Sequence, residues 1–138
     1  MEILAARTIL IPIDPAVTTS FYRDVVGLAT ARDYPGGTVF FAGNGLIEIA
    51  GHMQREPDSD TDAASIDATA TPGDDAVLWL QVRDIADAAR TLGDAVVREA
   101  RHEPWGLVEM HAIDPDGRRL IFVEIPPEHP LRRDVRGD

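Results

Sequence analysis

The strongest constraint on the fold of this chain is an order of strand and helix patterns that occurs twice. Apolar and β-branched segments predict strands in the first half at Thr8–Ile13, Leu28–Tyr34, Thr38–Ala42 and Leu46–Ala50, and in the second half at Val77–Val82, Ala95–Ala100, Leu107–Ile113 and Arg119–Ile125. Helices are predicted at Pro15–Val26 and from Asp84 to Leu92, after the capping aspartates Asp14 and Asp84. Both halves therefore follow the order βαβββ, which indicates an internal duplication.

The two halves are separated by a segment of different composition. Seven acidic residues lie between Glu56 and Asp75, with few large apolar ones. We predict a first module at 1–52, an acidic linker at 53–75, a second module at 76–126 and a C-terminal tail at 127–138. One helix covers only one face of a sheet, so the other face must curl or pair. The expected fold class is α+β, with tandem βαβββ modules forming a cupped mixed sheet, helices on its outer face and a ligand groove on the other.

Composition excludes several kinds of chemistry. The chain has no cysteine, so disulfides and thiolate metal sites are excluded. All 13 basic residues are arginine, so a Schiff-base lysine and a P-loop are excluded as well. The net charge of −11 argues against a nucleic-acid partner and is compatible with a cationic ligand. With no long apolar run and no signal-like start, we expect no membrane partner and a cytoplasmic location.

An ordered set of motifs resembles a known family. The motifs are Asp14 to Phe21-Tyr22 to Gly27-Leu28 in the first half, and Val82-x-Asp84-x-x-Asp87-Ala88, Pro104-Trp105-Gly106, Asp114-Pro115-Asp116-Gly117 and Ile121-Phe122-Val123-Glu124 in the second. Together they are similar to the vicinal-oxygen-chelate superfamily of glyoxalases, bleomycin-resistance proteins and ring-cleaving extradiol dioxygenases. The resemblance implies a small-molecule ligand and a homodimer.

The resemblance also implies four metal-ligand positions, one in the first and one in the last strand of each module. The last-strand positions carry Glu48 and Glu124, whereas the first-strand positions carry Arg7 and Val77. Arginine stays protonated and valine has no donor atom. Two carboxylates alone hold Zn, Ni or Fe poorly. We therefore expect no cofactor, and a divalent metal at Glu48 and Glu124 only if the protein is a metal-dependent enzyme, with His52 or His111 as a displaced ligand.

The alternation of side chains along each strand predicts which residues face the groove. We expect Glu48, Glu124, Phe122 and Trp79 on the groove side, together with Glu109 and His111. The predicted ligand-binding residues are Arg7, Glu48, Trp79, Trp105, His111, Phe122 and Glu124. His111 is the candidate general acid or base because imidazole titrates near neutrality. Two alternatives remain for Arg7: it pairs with Glu48 or Glu124 in place of a metal charge, or it is exposed at the strand start.

Three functions are compatible with these observations. The first is a protein of the glyoxalase and bleomycin-resistance type that binds a small, cationic or aromatic molecule in a metal-free groove. The second is a lyase, isomerase or dioxygenase of the same superfamily that uses Glu48 and Glu124, or acid–base chemistry without metal. The third is a non-catalytic interaction module, in which side chains of the protein fill the groove.

Overall fold

The computed structural model of this protein describes residues 1–53 and 77–130. The chain divides into two compact units, Met1–Thr71 with Asp114–Gly117, and Pro72–Ile113 with Arg118–Asp138. Apart from their first residues, the predicted linker and tail lie outside the described residues.

The first unit contains one mixed sheet and one helix. Its elements are β1 Thr8–Leu10, α1 Pro15–Ser20, β2 Thr30–Tyr34, β3 Gly37–Ala42 and β4 Gly45–Ala50. The strand order is β1-β4-β3-β2, with β1 parallel to β4 and the other pairs antiparallel. The Asp14 carboxylate caps α1 by accepting hydrogen bonds from the amides of Ala16 and Val17. A π-helical turn at Phe21–Val25 continues the helix.

The second unit repeats this arrangement. Its elements are β5 Leu78–Gln81, α2 Ile85–Leu92, β6 Val96–His102, β7 Val108–Ile113 and β8 Arg119–Glu124. The strand order is β5-β8-β7-β6, again with the first strand parallel to the last. Asp84 caps α2 through the amide of Asp87. The predicted α+β class and the repeated βαβββ order are therefore confirmed.

Element boundaries differ from the prediction mainly at β1. The apolar segment extends to Ile13, but the strand ends at Leu10, because Pro12 has no amide proton to donate to a neighbouring strand. Among the described residues, no helix has the length and apolar character needed to cross a lipid bilayer.

The turn Asp114–Gly117 belongs to the first unit and contacts α1. The buried Tyr22 hydroxyl donates to Asp114 Oδ2 over 2.7 Å. Asp116 accepts from the Ile13 amide at 2.9 Å and from the Thr18 hydroxyl at 3.0 Å. Both aspartates of the Asp-Pro-Asp-Gly motif thus hold the region around α1 together.

Candidate functional site

One row of side chains crosses all four strands of the second sheet. Trp79 pairs with Ile121, Ile121 with His111, and His111 with Arg98. Residues in register across a sheet share a face, so these four side chains, which we call the Trp79 row, lie together. Trp79 is 48% exposed, and the other three are half-buried. The predicted shared face of Trp79 and His111 is therefore confirmed.

Trp105 is attached beside this row by a hydrogen bond from its indole. Its Nε1–H donates to Glu109 Oε1 over 2.8 Å, and Glu109 lies two residues before His111 on the same face of β7. Trp105 itself lies in the loop between β6 and β7 and is 57% exposed. The hydrogen bond orients an aromatic ring that stays accessible, a low-entropy arrangement for stacking on a ligand.

The carboxylate of Glu103, which is buried, binds two arginines of β6 next to the loop that carries Trp105. Glu103 accepts from Arg98 at 2.6 Å and from Arg101 at 3.0 Å. The hydrogen bond from Arg101 is the main reason that the pKa of Glu103 is lowered. Arg98 also donates to the Glu109 carbonyl at 3.0 Å. These bonds link the loop that carries Trp105 to strands β6 and β7.

The surroundings of His111 favour its neutral form. Its pKa is lowered, chiefly by burial and then by the positive charges of Arg98 and Arg119, which outweigh the opposing effect of Glu109 and Glu103. A neutral imidazole at pH 7 has one donor and one acceptor nitrogen. His111 can therefore hydrogen-bond a ligand in either sense, or accept a proton from one.

The predicted positions of Glu124 and Phe122 are wrong. Because Trp79 pairs with Ile121, the neighbouring residues Phe122 and Glu124 cannot share its face. Glu124 Oε2 instead accepts from the Ile85 amide at 2.8 Å, at the first turn of α2. Phe122 is 4% exposed and belongs to the core. The Glu124 carboxylate stabilises the helix N-terminus, where a negative charge is favourable.

The internal duplication identifies the true counterpart of Glu48. Ile9, five residues before the α1 cap, pairs with Glu48, and Trp79, five residues before the α2 cap, pairs with Ile121. The position equivalent to Glu48 in the second unit is thus Ile121, which has no donor atom. Sequence reasoning assigned that role to Glu124 because it is the acidic residue of the last strand.

The residues at these positions do not fit a divalent metal. Arg7, Val77 and Ile121 offer no ligand, and Glu48 is occupied by an ion pair with Arg7 Nη1 at 2.8 Å. Within residues 1–53 and 77–130, no three His, Asp or Glu side chains are placed to hold an ion. Both alternatives for Arg7 hold: its guanidinium pairs with Glu48, and its side chain is exposed just before β1.

Tyr34 and Arg32 lie near this ion pair, and sequence reasoning gave no ligand-binding role to either. The Tyr34 hydroxyl lies 3.4 Å from His52 Nδ1. The pKa of Tyr34 is raised, first by burial and then by the charge of Glu48 and a hydrogen bond to it. Tyr34 therefore lies near both Glu48 and His52. The Arg32 guanidinium lies 5.7 Å from the Tyr34 ring centroid, within cation–π range.

A cavity of about 550 Å³ lies in the first unit, between α1 and strands β2 to β4, and has Tyr34 in its wall as well. Its wall includes Arg23, Asp33, Tyr34 and Thr38. Asp33 already accepts from the Thr38 hydroxyl at 2.8 Å, and Arg23 pairs with Asp24 at 3.1 Å. Asp33, Thr38 and Arg23 of this wall thus already have polar partners within the protein. None of the seven predicted ligand-binding residues lines it.

Paired βαβββ units, each with a mixed sheet and one helix, define the vicinal-oxygen-chelate class of folds. A family model described as Glyoxalase/Bleomycin resistance protein/Dioxygenase superfamily matches residues 5–122. The chain belongs to this superfamily. A search of curated proteins found no match.

Solved structures agree on the fold. A protein of unknown function from Agrobacterium tumefaciens is 19% identical with a TM-score of 0.66, over 91% of this chain and 97% of that one. A glyoxalase-related enzyme from Fulvimarina pelagi is 16% identical with a TM-score of 0.65, over 90% of each chain. A superfamily member from Sphaerobacter thermophilus is 19% identical with a TM-score of 0.64, over 89% of this chain and 98% of that one. At these identities the likeness concerns the fold alone.

The sequence contains signals for three site residues that alternation along single strands does not identify. Arg98 and Arg32 are reached by counting strand register from His111 and Glu48, which needs the pairing and not only the alternation. Tyr34 directly precedes the Pro35-Gly36-Gly37 turn, a place where an aromatic ring can fold back over glycine. Glu103 carried no sequence signal for burial.

Proposed function

We propose that this protein binds a small flat aromatic molecule, without a metal, on the face of the second sheet opposite α2. The observation that carries the proposal is the Trp79 row, where an exposed tryptophan and a neutral histidine stand in register, with the Trp105 indole attached beside them. Ligand sites combine apolar and aromatic walls with a few polar groups that set orientation. This face has both.

The aromatic part of the ligand would contact Trp79 and Trp105. Offset or edge-to-face stacking contributes about 0.5–1.5 kcal/mol per ring pair beyond buried area. His111 would supply one hydrogen bond, since its neutral ring has a donor and an acceptor. Because Arg98 and Arg101 already neutralise Glu103, this face carries less negative charge than the chain as a whole. Ring stacking therefore supports the proposal more strongly than attraction of a cation.

Absence of a metal requirement is part of the proposal. It is supported by the loss of donor atoms at Arg7, Val77 and Ile121 and by the two local roles of the carboxylates, Glu48 in an ion pair and Glu124 at a helix N-terminus. The homodimer implied by the resemblance and the cytoplasmic location expected from the sequence stay predictions.

Intrinsic fluorescence tests the proposal directly, because the chain has two tryptophans and both belong to this surface. We suggest titrating the protein with 9-aminoacridine, a planar cation, and with acridone, a planar neutral molecule, and repeating each titration by calorimetry. Saturable quenching with matching calorimetric affinity is expected for at least one of them. The ratio of the two affinities reports the preferred charge.

Single substitutions locate the binding surface. Trp79→Leu and Trp105→Leu should each weaken binding about two- to tenfold, the value of one stacking contact. Phe41→Leu is the matched control, because Phe41 is 53% exposed on the first sheet. Binding of neither probe, or equal weakening by the control, would refute the proposal.

A metal-independent lyase or isomerase is the second candidate, and the lowered pKa of His111 favours it. A base that is unprotonated at pH 7 can abstract a proton from a carbon acid bound on the row. His111→Gln separates the two functions. Binding with no turnover in either form supports a binding protein, whereas turnover lost in His111→Gln with affinity retained supports the enzyme.

A further inference from the structure

A second group of polar residues lies on the first sheet, on the face opposite α1. Arg7, Arg32, Tyr34, Glu48 and His52 form this group, which we call the Arg7 cluster. Register places Arg32 beside Val39, and Val39 beside Glu48, so the two arginines flank one carboxylate. The cluster is thus locally positive in a chain whose net charge is −11.

The acceptor in this cluster is already used. Glu48 binds Arg7 Nη1 at 2.8 Å, and its side chain is only 12% exposed. The Arg7 side chain is 44% exposed and, among the described residues, engages through Nη1 alone. Its remaining N–H groups and the exposed Arg32 guanidinium are donors. What the cluster offers to a ligand is therefore a set of donors.

The backbone is shaped to hold Tyr34 and His52 in place. A Cβ on Gly37 would lie 2.3 Å from the Tyr34 hydroxyl and 2.6 Å from the Ile49 carbonyl oxygen. Gly36 has a φ of +106°, and a Cβ there would meet His52 Cβ at 3.0 Å. The Gly36 carbonyl also accepts the His52 amide at 2.8 Å. Only glycine at both positions permits this arrangement.

Apolar surface adjoins the donors. Ile9, which pairs with Glu48, is 49% exposed, and Phe41 is 53% exposed on the same face. A ligand that bound here could place a charged group on the arginines and a carbon skeleton on Ile9 and Phe41. An organic acid meets both requirements better than an inorganic ion does.

We propose that the Arg7 cluster binds the oxyanion of a small organic acid, a carboxylate or a phosphate monoester, with Arg7 and Arg32 as the donors. A guanidinium presents paired N–H groups that match two oxygens of such an anion. Arg7 stands where the superfamily resemblance implies a metal ligand, so a fixed organic cation takes the place of an ion beside Glu48. The proposal is independent of the one for the second sheet.

Benzoate and phenyl phosphate are suitable probes, with isosteric benzamide as the neutral control. We expect one of the two acids to shift the His52 ring signals saturably in NMR titrations, with a Kd on the order of 1 mM. Benzamide should give no saturable shift at the same concentrations. A preference for benzoate or for phenyl phosphate identifies the carboxylate or the phosphate as the source of the oxyanion.

Charge-paired variants separate binding by Arg7 from its role as the partner of Glu48. Arg7→Gln should weaken binding of the acid about tenfold or more. The double variant Arg7→Gln/Glu48→Gln has no unpaired carboxylate and should be equally weak. Glu48→Gln alone keeps the guanidinium and removes a competing anion, so its affinity should be equal or tighter.

Arg90→Gln on α2 is the control, because Arg90 is an exposed arginine paired with Asp87. Far-UV circular dichroism and melting curves check that each variant is folded. No saturable shift with either acid, binding of benzamide equal to that of benzoate, or full affinity in the double variant would each overturn the proposal.

Discussion

Replacing Tyr22 by phenylalanine tests the interaction that joins the Asp-Pro-Asp-Gly turn to α1. The change removes one oxygen from a fully buried side chain, and with it the 2.7 Å hydrogen bond to Asp114, a carboxylate that is 3% exposed. A hydrogen bond to a charged group contributes about 1.5–3 kcal/mol. The loss should approach that range because water cannot easily reach the buried Asp114 carboxylate to replace the lost donor.

The expected change in melting temperature follows from chain length. For 138 residues at an unfolding entropy of about 2.1 cal/mol/K per residue, a loss of 1 kcal/mol lowers Tm by about 3–4 °C. Tyr22→Phe should therefore lower Tm by about 5–10 °C. Thermal unfolding followed by circular dichroism measures this shift.

Tyr34→Phe is the matched comparison, because it removes a hydroxyl from a tyrosine at the sheet surface. It should lower Tm by less, since water can replace part of what is lost. If Tyr22→Phe shifts Tm no more than Tyr34→Phe does, the buried hydrogen bond does not stabilise the fold as argued.

Two further predictions concern charge. Because the pKa of His111 is lowered in the folded protein, the unfolded chain binds more protons than the folded chain below about pH 6.5, and stability should fall as the pH drops through that region. His111→Gln should therefore reduce the difference in Tm between pH 8 and pH 5.5. An unchanged pH dependence would contradict the assignment. Glu124→Ala should lower the free energy of unfolding by about 1 kcal/mol, because α2 loses an N-terminal hydrogen bond. Calorimetric titration with Zn²⁺ should give the same result before and after this change. Stoichiometric Zn²⁺ binding that the substitution abolishes would show instead that Glu124 is a metal ligand.

The sequence predicted the order of elements well because each local signal agreed with its neighbours. Asp14 and Asp84 cap the two helices as expected, and the hairpins close at glycine-containing turns between the predicted strands. Proline and glycine act through local sterics, and these are readable from a few residues. The exact end of β1 was missed because the apolar segment continues past Pro12.

The site was harder to predict. Alternation along one strand shows which of its residues share a face, but not which residues of the neighbouring strand lie on that same face. Alternation along β8 is correct in itself: Phe122 and Glu124 do share a face. The prediction placed Glu124 on the same face as Trp79 because Glu124 is acidic. The pairing of β5 with β8 instead puts Ile121 beside Trp79. A shift of one residue moves every side chain to the other face.

The duplication explains how one fold can offer two different surfaces. The row Ile9, Glu48, Val39 and Arg32 on the first sheet is the counterpart of Trp79, Ile121, His111 and Arg98 on the second. Both rows end in arginine on the edge strand, but the first retains a carboxylate where the second has isoleucine. Arg7 neutralises that carboxylate, whereas Ile121 brings no charge to the equivalent position of the second row. The first row is therefore suited to an anion and the second to an aromatic ring.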